Sequence, residues 1–290
     1  MRMNLKYVAE LPGGLLKNGA RIQDVELRPL NGEDEVFLFE TGESLTPAAR
    51  VTALLARCIV RLGSDLAVTQ ETVRSLTIGD REALLLHLRL LTFGDRMPCV
   101  LTCPAKGCHE KMNLDLFVRN LLVDPYERLD EWHDLPLNIR GKDYKVSLRI
   151  PNGLDQELLA KCAIADSVAA QNLLLQRCVR FGFPEMVDQS GIDSWPPELV
   201  DAIGRKISEL DPQAEILLNM HCAACGRAFA VEFDAGSYFY QELSTHISYL
   251  YREVHTIARS YHWSQTEILG MTPKNRSIYL TLLAGEDVRA

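Results

Sequence analysis

Two pairs of closely spaced cysteines constrain this chain of 290 residues more than any other feature of its sequence. Cys103 and Cys108 enclose the letters PAKG, and much further along the chain Cys222 and Cys225 enclose two alanines. A short loop between two cysteines presents both sulfurs in one direction, and two such loops supply the four ligands of a tetrahedral zinc ion. We therefore predict that the four sulfurs hold one structural zinc ion in a zinc-ribbon-like site.

Two other interpretations of these cysteines remain open. In one, the site holds no metal and the two loops simply pack together. In the other, Cys222 and Cys225 form a redox pair, although such pairs usually lie at the start of a helix, whose dipole lowers the thiol pKa. The letters RAFAVEF that follow alternate like a strand, which disfavours redox chemistry. His109 and His221 each adjoin a cysteine and are candidates to replace one ligand.

The remaining cysteines are expected to be ordinary thiols in a reducing compartment. The N-terminal letters MRMNLKYVAELPGG lack the apolar core of a signal peptide, and no stretch of about 18 apolar residues occurs. We therefore expect a cytoplasmic protein without a disulfide framework. Four cysteines are expected to be small buried residues: Cys58, Cys99, Cys162 and Cys178.

The charge balance opposes one large class of partners. A formal net charge of -8 provides no positive field that would draw the protein to nucleic acid or to an anionic membrane. A zinc-ribbon protein that binds nucleic acid is kept as the alternative function, because four basic residues supply local positive charge: Arg205, Lys206, Arg252 and Arg259.

No catalytic constellation accompanies the cysteines. The sequence contains no HExxH, GxSxG, phosphate-binding loop or GxGxxG motif, and its seven histidines are scattered. His246, His255 and His262 lie in a segment with helical periodicity and are expected to be solvated or satisfied rather than ligands. We predict a protein without enzymatic activity or a small-molecule substrate. A thiol oxidoreductase or zinc hydrolase is the third hypothesis.

The segments around the two cysteine pairs have the two-residue period of β-strands. Residues 97–118 and 215–235 each predict a strand, a short cysteine loop and a second strand. An acid follows each loop, Asp115 in the first segment and Asp234 in the second. The two segments form a weak internal repeat.

The rest of the chain is mostly helical. The first forty residues predict a partly extended segment with a turn at Asn31-Gly32, and residues 135–153 predict two strands joined at Gly141. The helical pattern that starts at Asp155 extends to about Phe181, and residues 188–197 predict a loop. Capping residues and prolines mark the other expected helix starts: Thr46-Pro47, Thr77 or Gly79, Ala165 to Ser167, Pro196-Pro197, Ser264 and Thr272-Pro273. The aromatic residues between 238 and 263 lie on two faces of a predicted helix; core packing explains part of this pattern, and a partner-binding helix would show it as well.

These patterns predict the α+β class. We expect a mainly helical body in which two sequence-distant hairpins are joined by the four-cysteine site, with an inserted subdomain that carries its own hairpin and helices. The predicted divisions are 1–123 for the N-terminal part with the first cysteine loop, 124–212 for the insertion, and 213–290 for the second cysteine loop and the C-terminal helices.

Two long segments resemble a known family. The letters SLTIGDREALLLHLRLLTFGD before the first cysteine loop, and ELDPQAEILLNMHCAACGRAFAVEFDAGSYFYQEL with the helical residues after it, are similar to the T-even phage baseplate hub assembly chaperone family. The resemblance extends from about Leu27 to Leu283 and is strongest in the C-terminal third. Longer members of that family occur among the tail genes of contractile phages and of phage-like injection systems.

The resemblance implies a non-enzymatic role in building the central baseplate hub. It implies hub or spike proteins as partners, and a place in the cytoplasm or in the tail particle. The cysteine loops of the longer members match the four cysteines of this chain. This sequence departs from the expected CxxC at its first loop, where four residues separate Cys103 from Cys108.

Overall fold

The fold is taken from a computed structural model, which describes residues 7–42, 44–65, 67–127, 130–163, 166–181 and 195–285. These residues form helices and small antiparallel sheets, which confirms the α+β class. The strands are β1 (Tyr7–Lys17), β2 (Ala20–Leu27), β3 (Ile59–Leu62), β4 (Arg96–Thr102), β5 (Lys111–Phe117), β6 (His133–Ile139), β7 (Lys142–Leu148), β8 (Val179–Phe181), β9 (Ile216–His221) and β10 (Ala228–Phe233). The helices are α1 (Gly32–Gly42), α2 (Pro47–Cys58), α3 (Gln70–Ser75), α4 (Ile78–Phe93), α5 (Val118–Leu121), α6 (Gly153–Ala163), α7 (Ser167–Cys178), α8 (Pro197–Leu210), α9 (Ala235–Tyr261), α10 (Gln265–Leu269) and α11 (Pro273–Leu283).

Several helix starts follow from local capping chemistry, as the sequence predicted. The Thr46 hydroxyl accepts a hydrogen bond from the third residue of α2, and Thr77 does the same for α4. Asp166 accepts from two backbone N–H groups and separates α6 from α7. Ser264 and Glu267 form the predicted capping box of α10.

Three segments differ from the prediction. The Asn31-Gly32 turn leads into α1, because the Asn31 side chain accepts a hydrogen bond from the Asp34 N–H and caps the helix. The apolar pattern of the helix that starts at Thr46-Pro47 includes Ile59, but α2 ends at Cys58 and Ile59 starts β3. The helical pattern predicted to about Phe181 ends at Cys178, and β8 follows. Strand pairing decides both ends, since β3 and β8 complete the sheets begun by their preceding hairpins.

Two further expectations concern the loop at residues 188–197 and the four cysteines outside the cluster. Of the loop predicted at residues 188–197, residues 188–194 lie outside the described residues. Cys58 and Cys178 are fully buried as expected, whereas Cys99 and Cys162 are only half-buried.

The core is divided into separate clusters of buried side chains. The largest packs the β1–β2–β3 sheet against α2, α4 and the start of α9. A second lies between the β6–β7–β8 sheet and helices α7 and α8, and a third joins the rest of α9 to α10 and α11. A small fourth cluster surrounds the cysteines. None of the described helices combines the length and the apolar character that crossing a membrane requires.

The same order of elements occurs twice along the chain. A hairpin, two helices and a third strand form the series β1–β2–α1–α2–β3 and again the series β6–β7–α6–α7–β8. In the described residues the first series is followed by α3 and α4 and the second by α8, and a hairpin with cysteines at its tip comes next in both. The internal repeat is therefore far more extensive than the two cysteine loops indicated.

Matching side chains stabilise the two copies. In the first, Arg28 binds the carboxylate of Asp34 through two hydrogen bonds of 2.6 and 3.0 Å, and Arg57 adds a third of 2.8 Å. In the second, Arg149 binds Asp155 through bonds of 2.6 and 2.9 Å, and Arg177 adds one of 2.5 Å. The letters RPLNGED and RIPNGLD carry this network in the sequence.

Candidate metal centre

The two predicted cysteine hairpins are present and in regular register. β4 pairs with β5 from Arg96↔Phe117 to Thr102↔Lys111, and β9 pairs with β10 from Ile216↔Phe233 to His221↔Ala228. In both hairpins the ladder therefore ends immediately before the first cysteine. Both cysteine loops lie beyond the paired residues, at the tips of their hairpins.

Each loop is closed by an equivalent backbone hydrogen bond. The Cys103 N–H donates to the Glu110 carbonyl at 2.9 Å, and the Cys222 N–H donates to the Arg227 carbonyl at 2.9 Å. The first loop contains two more residues, which are taken up in a turn where the Cys108 N–H donates to the Ala105 carbonyl at 3.0 Å. The departure from CxxC thus widens the loop without turning its sulfurs away.

The four sulfurs converge. Cys103 Sγ lies 3.7 Å from Cys225 Sγ, Cys108 Sγ lies 3.7 Å from Cys222 Sγ, and all four lie within 4.8 Å of one another. A disulfide requires about 2.05 Å. Four sulfurs at about 2.3 Å from a central zinc ion would be about 3.8 Å apart in a regular tetrahedron. The spacing fits a metal tetrathiolate and excludes a disulfide in this arrangement.

The backbone and the neighbouring thiols shift the cysteine pKa values in different directions. The N–H groups of Cys225 and Ala224 donate to Cys222 Sγ and lower the pKa of that thiol to about 7. The Glu110 N–H favours the Cys108 thiolate, but burial and the adjacent sulfurs raise the pKa of Cys108 to about 12. Four thiolates so close together repel one another, so a cation is needed to keep all of them deprotonated.

The centre is closed on its inner side and open at the tip. Cys103 and Cys222 are almost fully buried, Cys108 is half-buried and Cys225 is exposed. Met112, among others, packs beneath the sulfurs as part of the small cluster around them.

The two neighbouring histidines do not join the cluster. Within the described residues, the group of side chains close enough to share a metal contains the four cysteines alone. His109 is exposed and has a positive φ of 51°, and His221 is exposed at the end of β9. Asp115 pairs with Arg96 at 2.9 Å, and Asp234 caps α9. These acids support the ends of the hairpins rather than the centre.

The other predicted binding features are on the C-terminal helix and on α8. Tyr249 and Tyr251 of α9 are about half exposed, at 56% and 48%, whereas Phe239 is buried. His246 stacks on Phe93, with ring centroids 4.7 Å apart. His255 is exposed, and His262 adopts a left-handed conformation that ends α9. The four basic residues of the nucleic-acid alternative are divided between α8 and α9 and form no run: Arg205, Lys206, Arg252 and Arg259.

Comparison with known proteins decides the family. A family model described as T4 bacteriophage base plate protein matches residues 16–239. The chain belongs to this family. The match confirms the resemblance to T-even baseplate proteins and begins within β1. No curated protein and no solved structure matches the chain.

Family membership supports a structural or assembly role in a phage baseplate, with other baseplate proteins as partners. The matched part contains both cysteine loops and the whole of the second copy of the repeat. It ends at Phe239, in the second turn of α9. The long aromatic helix of this baseplate-family protein therefore lies mostly beyond the part that the family model matches.

Sequence reasoning missed the arginines that surround a buried aspartate in each of the two copies. The signal was present in the letters, since an arginine, an Asn-Gly pair and an aspartate recur at the same spacing. The two copies differ at most other positions, so a search centred on the cysteines did not reveal them.

Proposed function

We propose that this chain is a non-enzymatic assembly factor or structural component of a baseplate hub. The baseplate would be that of a contractile phage tail or of a phage-tail-like injection system. The family match supports the baseplate assignment. The convergence of four cysteine sulfurs from two distant hairpins is the observation that carries the rest of the proposal, because it describes a structural clamp rather than a reactive centre.

The clamp is proposed to hold zinc through Cys103, Cys108, Cys222 and Cys225. Four protein ligands leave no open position for water or substrate, which is the feature that separates structural from catalytic zinc sites. The redox interpretation loses support because β10 follows Cys225 and no helix starts there. The predicted division into residues 1–123, 124–212 and 213–290 stays a prediction.

Elemental analysis of the purified protein tests the metal. We expect one zinc per chain, and four thiols that become reactive only after chelation. Cys222→Ser is expected to abolish zinc retention, whereas Cys162→Ser, which changes a half-buried cysteine outside the cluster, is expected to retain it. Zinc-free protein with fully reactive Cys222 and Cys225 would overturn the clamp.

The proposed partners are the hub or spike proteins of the same tail, bound through the aromatic part of α9. Exposed tyrosines supply large contact areas at low entropic cost, and Tyr249 and Tyr251 are both available. The test is capture of the tail proteins encoded beside this chain. Tyr249→Ala with Tyr251→Ala is expected to weaken capture at least tenfold, and Ser248→Ala on the same helix is expected to leave it unchanged. Failure to bind any hub or spike protein would refute the proposed role.

The alternative of a nucleic-acid-binding ribbon gains no support from the family or from the charge distribution. The basic residues lie on two separate helices, and the net charge is -8.

A further inference from the structure

A cavity of about 570 Å³ lies where the two copies of the repeat meet, away from the cysteine centre. Helices α2 and α4 of the first copy and α6 of the second form its sides, and the end of β10 with the first turns of α9 closes it. Its volume falls in the range typical of ligand-binding sites. Most of its wall is apolar and includes Val51, Leu54, Leu85, Leu159, Phe239 and Leu243.

The charged groups of the cavity are mainly acidic. Glu82, Glu232 and Asp234 line it, and Arg50 is the cationic side chain among the described lining residues. The Arg50 guanidinium lies 4.0 Å above the centre of the Tyr240 ring. Glu232 and Asp234 supply two carboxylates against one guanidinium, and Glu82 adds a third when it is ionised, which favours a cationic ligand.

Arg50 and Glu82 are two side chains of the wall whose polar atoms lie among protein atoms. Arg50 Nε is buried and, in the part of the chain that the structure describes, has no hydrogen-bond partner. The Glu82 carboxylate accepts a hydrogen bond of 3.2 Å from the Ala235 N–H, and burial raises the pKa of this carboxyl to about 7. Glu232 and Asp234, in contrast, are exposed and are the groups that a ligand cation would meet.

We propose that this cavity receives a segment of a partner protein that inserts an apolar side chain beside a lysine or arginine. The apolar wall would cover the inserted side chain, and the carboxylates would pair with the cation. The inference rests on the proposed role of the chain as a binding protein, and it adds a second contact apart from the tyrosines of α9.

Peptide binding to the full-length protein tests this site. The probe is a capped, fluorescently labelled peptide in which phenylalanine and leucine lie between two lysines, and the comparison peptide has glutamates in place of the lysines. Fluorescence anisotropy is expected to show saturable binding of the lysine peptide and at least tenfold weaker binding of the glutamate peptide.

Two pairs of variants locate the binding. Ala160→Trp fills the cavity and is expected to weaken the lysine peptide at least tenfold, whereas Ala169→Trp, at an exposed position of α7, is expected to leave it unchanged. Glu232→Gln at the cavity is expected to weaken it severalfold. Glu10→Gln, exposed on β1, makes the same change in net charge and is expected to have no effect.

Several results would overturn the inference. They are no binding of either peptide at millimolar concentration, equal binding of both peptides, or equal binding by wild type and Ala160→Trp. A wild-type dimer that becomes monomeric on Ala160→Trp would identify a second copy of this chain as the occupant instead. Capture of tail proteins by both wild type and Ala160→Trp would leave the baseplate role intact and reject only the cavity. If the protein distinguished the two peptides but captured no tail protein, the cavity would stand as a binding site and the baseplate role would be rejected.

Discussion

Single buried carboxylates stabilise this fold only because arginines surround them. Asp34 and Asp155 have fully buried side chains. Burial alone would raise the pKa of each carboxyl, but the hydrogen bonds and charges of the arginines together with a backbone N–H outweigh it and hold both values below the ordinary range. Each carboxylate also accepts a backbone N–H at the start of a helix, from Asn31 or Asn152. One side chain therefore joins a sheet to a helix pair in each copy.

Replacing these aspartates tests that role. Asp34→Asn and Asp155→Asn are each expected to lower the free energy of unfolding by about 3 kcal/mol, because the arginines lose their counter-charge in a buried setting. Urea denaturation at pH 7 measures the change. Asp115→Asn, which breaks an exposed pair with Arg96, serves as the control and is expected to cost less than about 1 kcal/mol. Equal effects at all three positions would contradict the network.

Glu82 makes the stability of the fold depend on pH, and its pKa is shifted upward, opposite to the pKa values of Asp34 and Asp155. Its folded pKa of about 7 lies above the ordinary value of 4.5, so between these pH values the folded state binds more protons than the unfolded state. The contribution of this group to stability is therefore largest below pH 4.5 and is lost as the pH rises to 7. Relative to wild type, Glu82→Gln is expected to gain up to about 3 kcal/mol between pH 5 and pH 8. Urea denaturation of both proteins at the two pH values checks this, and a pH-independent difference would show that Glu82 titrates normally.

At the scale of elements, each copy of the repeat donates an equivalent backbone hydrogen bond to the segment just before another helix, α4 or α11. The Gly153 N–H donates to the Leu76 carbonyl just before α4, and the Gly32 N–H donates to the Met271 carbonyl just before α11. A buried arginine follows in each helix: Arg81, whose Nε donates to Gln156 at 3.1 Å, and Arg276, whose Nη2 donates to Glu35 at 2.7 Å. The C-terminal helices thus contact the first copy of the repeat through the same kinds of hydrogen bond by which α4 contacts the second copy.

Removing the second arginine is expected to release the C-terminal helices. Arg276→Met leaves Glu35, whose side chain is 1% exposed, without its cation, and should cost about 3 kcal/mol. Hydrogen exchange is expected to accelerate in α1, α10 and α11 and to remain unchanged at the cysteine hairpins. Arg259→Met, at an exposed position of α9, is the matched control. Acceleration throughout the chain would instead indicate that these helices belong to one global unfolding unit.

At the scale of the whole molecule, contacts between distant segments decide the arrangement. Arg89 of α4 binds Glu242 of α9 at 2.9 Å, and Arg74 of α3 binds Glu157 of α6 at 3.0 Å. The cysteine centre joins two hairpins whose closest sulfurs are separated by 114 and 122 positions in the chain. A metal at this point closes a long loop, which restricts the unfolded chain as a cross-link does.

Chelation is therefore expected to act on one end of the molecule. Structural zinc contributes roughly 10 kcal/mol in small peptides, but the main core here is separate from the cysteine cluster. We expect removal of the metal to lower the melting temperature by several degrees and to expose residues 103–110 and 222–227 to proteolysis without global unfolding. Cys222→Ser protein should show no further change on chelation. An unchanged melting temperature for wild-type protein would contradict a stabilising metal.

Much of the fold could be predicted because its signals are local. Thr46, Thr77 and Asp166 start their helices through their own side chains, and the alternation around Cys103 and Cys222 is a property of each segment alone. The ends of α2 and α7 could not be predicted in this way. Ile59 and Val179 are compatible with either helix or strand, and pairing with β2 and β7 decides between them.

The sequence by itself determined the helix starts, the two cysteine hairpins and the baseplate resemblance, because these depend on neighbouring residues or on letters that can be compared directly. It also supplied the four metal-ligand candidates. Only the tertiary structure decided that the four sulfurs lie within 4.8 Å, that two sets of arginines surround buried aspartates, and that an acidic, apolar cavity lies between the copies. Each of these features joins residues that are far apart in the chain, and the packing of helices and sheets around the cores brings them together.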